Sequence, residues 1–336
     1  MKLVIITDAW EPQINGVVQT LKNLILQLKK NNIEVVVIHP YMNEFKLKPM
    51  PSYPEVEFVY NPWKLYNLLN NISFTHIHIT TEGPLGIFAR LYCEKNNIKF
   101  TSSYHTQTPE FLKSVFKIPL KIGYSFMRWL HKPSSTVLVT TETMKETLEK
   151  WKLHNNMIVW TRGVDYDQFN PNKRTRKLNP KIKRLICVSR ISVEKNLEKF
   201  LSLNIPNTEM IMVGDGPMKS SYEKLYKNVK FTGALVGERL AREYANGDVF
   251  VFPSTWDTFG LVQIEANGCG VPVATYDNSI SSKDVITNGK NGYACQTLEE
   301  AIEKCLTLNR DSVRLHSMEN FSWERCGEIF VNTITN

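Results

Sequence analysis

Short runs of apolar, mostly β-branched residues alternate along this chain with stretches whose apolar residues recur at helical spacing. In the first half the strand candidates are residues 2–7, 34–39, 75–79, 99–103, 136–140 and 157–160. The pattern restarts in the second half at residues 184–189, 209–213, 229–232, 248–252 and 271–275. Apolar strands that alternate with helices are typical of βα units packed around parallel sheets. The repeat of the whole pattern predicts two doubly wound α/β domains.

The length of the chain agrees with two domains. Its 336 residues exceed the roughly 100–150 residues of a common single domain. We expect an N-terminal domain over residues 1–170, a basic linker over 171–184, and a C-terminal domain over 185–318. A final amphipathic helix is expected over residues 319–336. One alternative for this helix is that it crosses back to the N-terminal domain.

The positive charge of the chain is concentrated in one place. The formal net charge is +8, and residues 171–184 alone carry seven Lys and Arg residues with no acid. A short run of this kind is typical of a solvated connection between domains. We therefore expect no nucleic-acid partner.

Composition also limits the location and the covalent chemistry. No apolar run reaches the roughly 20 residues that cross a bilayer, and no cleavable hydrophobic leader follows Met1, so we expect a cytoplasmic protein. The six cysteines form no C-x-x-C pair, which argues against both disulfides and a zinc site.

Two acids eight residues apart are the strongest chemical signal in the second half. Asp257 lies in a glycine-containing turn, and Glu265 lies about two helical turns further on. The first carboxylate can accept hydrogen bonds from sugar hydroxyls, and the second can accept them from a ribose diol. The spacing predicts that one nucleotide-sugar donor contacts both acids.

Cations and glycines that follow strands form a candidate anion site. Arg190 and Lys195 come just after the strand at 184–189, where a forked guanidinium and an ammonium suit diphosphate oxygens. Gly16 precedes the first helix and Gly214 follows a later strand, so backbone amides there can approach a phosphate. Taken singly, these residues also fit surface cations and ordinary βα turns. The missing G-x-G-x-x-G argues against a nicotinamide cofactor.

A histidine in the first half also follows a strand. His105 comes just after residues 99–103, where a side chain reaches the ligand edge of a parallel sheet. Its alternative role is structural, as for many single histidines.

Residues 113–132 form a basic segment with five Lys and Arg residues and no acid. On a helix from Leu120, the cations Lys121, Arg128 and Lys132 share one face, apart from the apolar residues. A buried helix with a solvated face fits this pattern. So does contact with an anionic membrane or a lipid-phosphate acceptor.

Five motifs, in order along essentially the whole chain, resemble those of the retaining nucleotide-sugar glycosyltransferases of family four. They are residues 12–17 (PQINGV), 162–165 (RGVD), 188–196 (VSRISVEKN), 213–217 (VGDGP) and 252–266 (FPSTWDTFGLVQIEA). The resemblance implies the GT-B architecture, in which two Rossmann-like doubly wound domains face each other across a cleft.

The resemblance also implies roles for individual residues. Gly16 is similar to the glycine near the donor diphosphate, and Arg190 with Lys195 is similar to its cationic clamp. Glu265 matches the acid that binds ribose. Asp257 stands where the family commonly has Glu, and it has a shorter arm toward the sugar hydroxyls.

Further contacts follow from the same resemblance. The main-chain amides of Phe259, Gly260 and Leu261 are expected to reach the donor sugar. His105 resembles the cleft histidine near the reaction centre. After residue 275 the chain has YDNSISSK, where many relatives have a glycine-rich turn.

Neither a metal nor a cofactor is expected; the nucleotide-diphosphate sugar is a co-substrate. Asp165 and Asp167 match the D-x-D pair by which another class of glycosyltransferases holds a divalent cation. The composition of residues 162–171 is instead that of a turn and linker.

The resemblance implies a retaining hexosyltransferase that acts on a glycan or lipid-linked acceptor. The resemblance is greatest to mannosyltransferases, so the expected donor is GDP-mannose and the expected sugar is mannose. Residues 113–132 are expected to contact the inner face of a membrane peripherally. One alternative is a nucleotide-sugar epimerase or hydrolase on the same fold. The other is a basic protein that binds membranes or nucleic acid.

Overall fold

The computed structural model describes residues 1–50, 53–177 and 181–335. Two compact units divide the chain, one of residues 1–161 with 323–336 and one of residues 162–322. Each unit contains its own parallel sheet with helices. No helix in the described ranges is long and apolar enough to cross a bilayer.

The first unit is built on a six-stranded parallel sheet in the order β2-β1-β5-β6-β7-β8. Its strands are β1 (Lys2–Ile6), β2 (Glu34–Ile38), β5 (His76–Ile79), β6 (Phe100–Tyr104), β7 (Val137–Val139) and β8 (Met157–Val159). An antiparallel pair, β3 (Leu47–Met50) and β4 (Tyr53–Val59), stands apart from this sheet. The helices are α1 (Gly16–Lys30), α2 (Lys64–Asn70), α3 (Pro84–Lys95), α4 (Thr108–Phe116), α5 (Leu120–His131) and α6 (Glu142–Lys150).

The second unit repeats the design with the order β11-β10-β9-β12-β13-β14. Its strands are β9 (Lys183–Val188), β10 (Thr208–Val213), β11 (Val229–Phe231), β12 (Val249–Phe252), β13 (Val273–Tyr276) and β14 (Gly292–Cys295). Its helices are α7 (Glu198–Leu201), α8 (Lys219–Leu225), α9 (Gly237–Asn246), α10 (Leu261–Gly268), α11 (Ser282–Val285), α12 (Leu298–Cys305) and α13 (Arg310–Asn320).

Strands β1 and β12 are buried, which explains why their sequences are continuous apolar runs instead of alternating ones. Residues 3–6 of β1 and 249–251 of β12 are fully buried. In the helix that follows β1, the Asn15 side chain accepts hydrogen bonds from the amides of Val17 and Val18. This cap satisfies amides that would otherwise have no partner at the start of α1.

The last helix, α14 (Trp323–Thr335), belongs to the first unit and packs on α1. Its buried residues Trp323, Cys326, Phe330 and Ile334 join the core formed with Leu21, Leu24 and Leu28. A Cβ on Gly327 would come within 2.7 Å of Gln27, so the glycine permits the close approach of the two helices. The chain therefore returns to the first unit, with the crossing at residue 323 and not at 319.

The structure differs from the expected solvated linker over residues 171–184, of which 178–180 lie outside the described residues. Arg174 and Arg176 each lie 3.0 Å from a carboxylate oxygen of Asp248, and the backbone amide of Arg184 also donates to Asp248. Burial raises the pKa of Asp248, but these donors outweigh it and hold the pKa below its ordinary value. The arginines therefore attach the segment to the second unit.

Other differences concern boundaries. The second unit begins at residue 162 and not at 185. Residues 162–170 were expected in the N-terminal domain, but Val164 and Phe169 are buried in the core of the second unit. Lys183 and Arg184 lie inside β9. The basic segment 113–132 forms two helices, α4 and α5, separated at Pro119. The sequence patterns also missed the β3–β4 pair and β14.

Candidate active site

The loop after β9 carries Arg190 and Lys195 at the carboxyl edge of the second sheet. The amide of Ile191 donates to the Asp215 carbonyl at 2.8 Å, so this loop is fixed to the loop after β10. Lys195 ends a short 3-10 helix, and Asn196 follows it with φ 55°. The Asn196 side chain donates to the Pro253 carbonyl, which attaches the loop to β12 as well. Arg190 is exposed beside this framework.

Two glycines allow the loops after β9 and β10 to touch. Gly214 has φ +146°, and a Cβ there would overlap the Ser189 carbonyl oxygen. Gly216 has φ +155°, and a Cβ would lie 2.5 Å from the Ile191 carbonyl oxygen. Gly214 is thus required for the packing of the loop that carries Arg190. A direct donor contact at Gly214 stays a prediction.

Lys195 and Asp257 form an ion pair in the site. The Lys195 ammonium nitrogen lies 2.6 Å from Oδ1 of Asp257. Burial raises the pKa of Asp257, but the Lys195 charge and hydrogen bonds from Lys195 and Ser254 reverse the shift and hold the pKa low. The other carboxylate oxygen, Oδ2, is buried without a hydrogen-bond partner within the described part of the chain. That oxygen is available to accept from a ligand hydroxyl.

The helix after Asp257 starts at an unusual backbone turn. Gly260 has φ 73°, and a Cβ at this position would lie 2.8 Å from the Gln263 side chain. Phe259 is buried against Phe321, and its carbonyl accepts from Gln263 Nε2 at 3.0 Å. The turn is therefore rigid. The Gln263 amide donates to the Gly260 carbonyl at 2.9 Å. The amides of Leu261 and Val262 precede it, have no acceptor within the helix and can serve an oxygen-rich ligand.

Glu265 lies on α10, one turn and a half from Gly260. The Tyr244 hydroxyl donates to Oε2 of Glu265 at 2.9 Å. Burial raises the pKa of Glu265 to about 7, and the Tyr244 hydrogen bond opposes this shift. Tyr244 is fully buried, so it fixes the carboxyl group and leaves Oε1 for a second donor. Asp257 thus precedes the start of α10, and Glu265 lies within the helix.

The first unit contains the other two predicted site residues. Gly16 is the exposed first residue of α1, next to its Asn15 cap. His105 follows β6 and is 8% exposed, and its Nε2 lies 2.9 Å from the Ser103 hydroxyl. Both follow the carboxyl ends of strands in the sheet, the edge where open α/β sheets bind ligands.

Two family models match consecutive parts of the chain. The model described as "Glycosyltransferase Family 4" matches residues 14–168, and "Glycosyl transferases group 1" matches residues 168–320. The chain belongs to the family-four glycosyltransferases. This places a hexosyltransferase on the GT-B architecture, with one Rossmann-like unit matched by each model.

Two curated relatives of this glycosyltransferase differ in their named donors. It is 29% identical to a sulfoquinovosyl transferase of Arabidopsis thaliana over 89% of this chain and 64% of that protein. It is 26% identical to a GDP-mannose-dependent alpha-mannosyltransferase of Corynebacterium glutamicum over 96% of this chain and 84% of the relative. Mannose is therefore one donor sugar among those that relatives use.

A solved structure supports the fold of the glycosyltransferase. Sucrose-phosphate synthase from Thermosynechococcus elongatus superposes with a TM-score of 0.82 at 18% identity, over 99% of this chain and 98% of that one. At this identity the likeness concerns the fold alone.

Sequence patterns missed two acids at the carboxyl edge of the first sheet of the glycosyltransferase. Asp8 accepts from the Thr81 hydroxyl and from the amides of Leu85 and Gly86, which caps α3. Glu82 has one buried oxygen, Oε1, with no partner among the described residues. Burial raises the pKa of Glu82 to about 8, and the nearby Asp8 charge adds to the shift. Both acids follow the end of a strand, and this position in the sequence could have identified them as candidate site residues.

The D-x-D pair forms a local turn. Oδ1 of Asp165 accepts from the amides of Asp167 and Gln168 at 3.1 and 3.0 Å. Within residues 1–50, 53–177 and 181–335, no group of three or more His, Cys, Asp or Glu side chains is arranged to hold a metal.

Proposed function

We propose that this enzyme transfers a hexose from a nucleotide-diphosphate sugar with retention of configuration. The observation that carries the proposal is the Lys195–Asp257 ion pair beside the α10 N-terminus, with Glu265 on the same helix. The three groups supply a cation for phosphate, a carboxylate oxygen for a sugar hydroxyl, and a carboxyl group for a ribose diol.

The chemistry proceeds on one face of the sugar in this proposal. The bond between C1 and the diphosphate oxygen breaks while the acceptor oxygen bonds to C1 from the same side. The acceptor proton passes to the leaving phosphate oxygen. Arg190 and Lys195 stabilise the negative charge that develops on the diphosphate, which lowers the barrier more than contacts made equally in the ground state. His105 contacts the sugar near C1.

GDP-mannose is the proposed donor, supported by the mannosyltransferase relative. A sulfoquinovose donor is the competing choice, because the other relative is named for that sugar. A panel of UDP- and GDP-sugars separates them: the cognate donor should raise the melting temperature most and should be consumed only when acceptor is present.

The site assignment is tested by two substitutions and one control. Arg190→Ala and Glu265→Ala should each lower kcat/KM for the donor, the former by about a hundredfold because a transition-state cation is lost. Arg242→Ala removes an exposed cation of α9 and should leave turnover unchanged. Full turnover in both site variants would reject the assignment, and sugar isomerisation without acceptor would instead indicate an epimerase.

The acceptor is proposed to be a lipid-linked sugar or lipid at an anionic membrane, supported by the surface of α4 and α5. Phe116, Ile122 and Trp129 are 37%, 60% and 40% exposed on these helices. The same segment carries four exposed lysines, Lys113, Lys117, Lys121 and Lys132. Exposed apolar and basic residues in one segment suit a membrane interface that contains anionic lipid. Arg128 contributes less, because it donates to the Trp151 carbonyl.

Vesicle sedimentation tests this contact. The protein should pellet with phosphatidylglycerol-containing vesicles and not with pure phosphatidylcholine. Ile122→Ser should weaken pelleting, while Leu315→Ser, which removes a 58% exposed apolar side chain from α13, should not. Equal effects of the two substitutions would reject the α4–α5 surface as the contact.

A further inference from the structure

A continuous row of histidine and hydroxyl side chains connects two neighbouring strands of the first unit. His76 and His78 lie on β5, and Thr101 and Ser103 lie on β6. The strands are parallel with His78 opposite Thr101, and alternate residues of a strand point to one face. His105 follows β6 with the same spacing of two. The row therefore ends at the candidate catalytic histidine.

Every neighbouring pair in the row is within hydrogen-bond distance. The Thr101 hydroxyl lies 2.9 Å from His76 Nε2 and 2.9 Å from His78 Nδ1. The Ser103 hydroxyl lies 3.1 Å from His78 Nε2 and 2.9 Å from His105 Nε2. His78 thus uses both ring nitrogens within the row.

The row is enclosed by aromatic side chains. The Phe330 ring of α14 stands edge-on to His78 with the ring centroids 4.9 Å apart. The Trp160 ring also stands edge-on to His105, with the ring centroids 5.7 Å apart. Its indole nitrogen donates to the Cys326 carbonyl of α14. Burial lowers the pKa of His78 to about 3, aided by His76, so His78 is neutral. The interior side chains of the row, His78, Thr101 and Ser103, are almost fully buried.

The hydrogen bonds of the row are coupled, because the direction of one bond fixes the direction of the next. A hydroxyl has one proton, and a neutral imidazole has one N–H and one bare nitrogen. If His78 Nδ1 donates to Thr101, Ser103 must donate to His78 Nε2, and His105 Nε2 must carry a proton. If Thr101 donates to His78, then His78 Nε2 donates to Ser103, which can donate to a bare His105 Nε2. The Thr80 carbonyl is a poor competitor at 3.5 Å from Ser103.

We propose that His78 is a positioning residue that acts through Ser103 to set which ring nitrogen of His105 carries the proton. The inference rests on the proposed function only where it assigns His105 to the sugar site. The tautomer of His105 decides whether each ring nitrogen donates or accepts, so its fixation pre-organises the residue for its contact with the donor.

Two isosteric substitutions separate positioning from packing. The amide of Asn occupies the place of Nδ1, and that of Gln occupies the place of Nε2. His78→Gln therefore retains a partner for Ser103, whereas His78→Asn retains only the contact with Thr101. His131→Gln is the control, because His131 is equally buried and contacts Ser102, the neighbour of Ser103, at 2.8 Å.

The first readout is the imidazole nitrogen NMR of His105, which distinguishes the two tautomers without turnover. We expect one tautomer in the natural protein, in His78→Gln and in His131→Gln, and a mixture in His78→Asn. An unchanged single tautomer in His78→Asn would overturn the inference. Because this readout needs no substrate, it remains decisive even when the proposed transfer reaction fails.

The second readout is kinetic. At saturating donor, His78→Asn should lower kcat about tenfold, the equivalent of one lost hydrogen bond, with little change in donor KM. His78→Gln should recover most of that loss. Equal losses in the Asn, Gln and His131→Gln variants would indicate general damage to packing and would reject a positioning role.

Discussion

The ammonium nitrogen of Lys195 lies 2.6 Å from Oδ1 of Asp257, although the two residues are 62 positions apart in the chain. Sequence patterns assign Lys195 to the diphosphate and Asp257 to the sugar. The ion pair connects these assignments, because each charge orients the other before a donor arrives. The second oxygen of Asp257 is buried with no partner among the described residues, and the ammonium partly compensates the carboxylate charge. In the proposed function this oxygen accepts from a sugar hydroxyl.

The ion pair should show strong coupling in a double-mutant cycle. Lys195→Met leaves a partly buried carboxylate alone, and Asp257→Asn leaves an ammonium alone, so each should lower the free energy of unfolding by about 1–3 kcal/mol. The double variant should lose less than the two single losses together. Urea denaturation of all four proteins measures the coupling, and strictly additive losses would mean that the pair is not formed in solution.

Asp257→Glu should affect the sugar more than the nucleotide. The longer side chain moves the carboxylate by about one methylene toward a region already occupied by Lys195, so the sugar contact and the cation shift together. We expect a change in kcat or donor-sugar preference, with the affinity for the free nucleotide within about twofold. Steady-state kinetics measures kcat and the donor-sugar preference, and titration with free nucleotide measures the affinity. A change confined to nucleotide affinity would remove Asp257 from the sugar subsite.

Nucleotide binding should depend on the ionisation of Glu265. Its pKa is about 7 in the free protein, because burial disfavours the charge, and a ribose diol donates best to the ionised carboxylate. Affinity should therefore rise between pH 6 and pH 8, with protons released on binding at the lower pH. Calorimetry in buffers of different ionisation enthalpy measures the release.

Two variants examine this proton release. Glu265→Gln should bind weakly at every pH without releasing protons. Tyr244→Phe removes the hydrogen bond that opposes the raised pKa, so it should move the midpoint of the affinity curve to higher pH. A curve that stays flat in the natural protein would place the ribose elsewhere.

Local patterns predicted those parts of the fold and site that depend on local sequence. The spacing of Asp257 and Glu265 is local, so the turn and helix between them followed from sequence. The roles of Arg174, Arg176 and His78 did not, because each depends on a partner that is distant in the chain or on another strand. The run of basic residues at 171–184 carries no sign of Asp248, which neutralises part of it.

Glu82→Gln should change the pH dependence of stability. The pKa of Glu82 is about 8 in the folded protein against 4.5 for the ordinary carboxyl group, so the folded state favours the protonated form. The stability that the protonated Glu82 carboxyl group contributes is fully present below pH 4.5 and is lost as the pH rises through 8. Gln has no ionisable group, so the free energy of unfolding of the variant does not fall with pH in this way. Relative to the natural protein, the variant should therefore gain about 2–4 kcal/mol in the free energy of unfolding between pH 5 and pH 8.

Urea unfolding at several pH values measures the gain, with the exposed Glu146→Gln as the charge-matched control. Parallel curves for Glu82→Gln and the natural protein would show that Glu82 is ionised at neutral pH in the folded state.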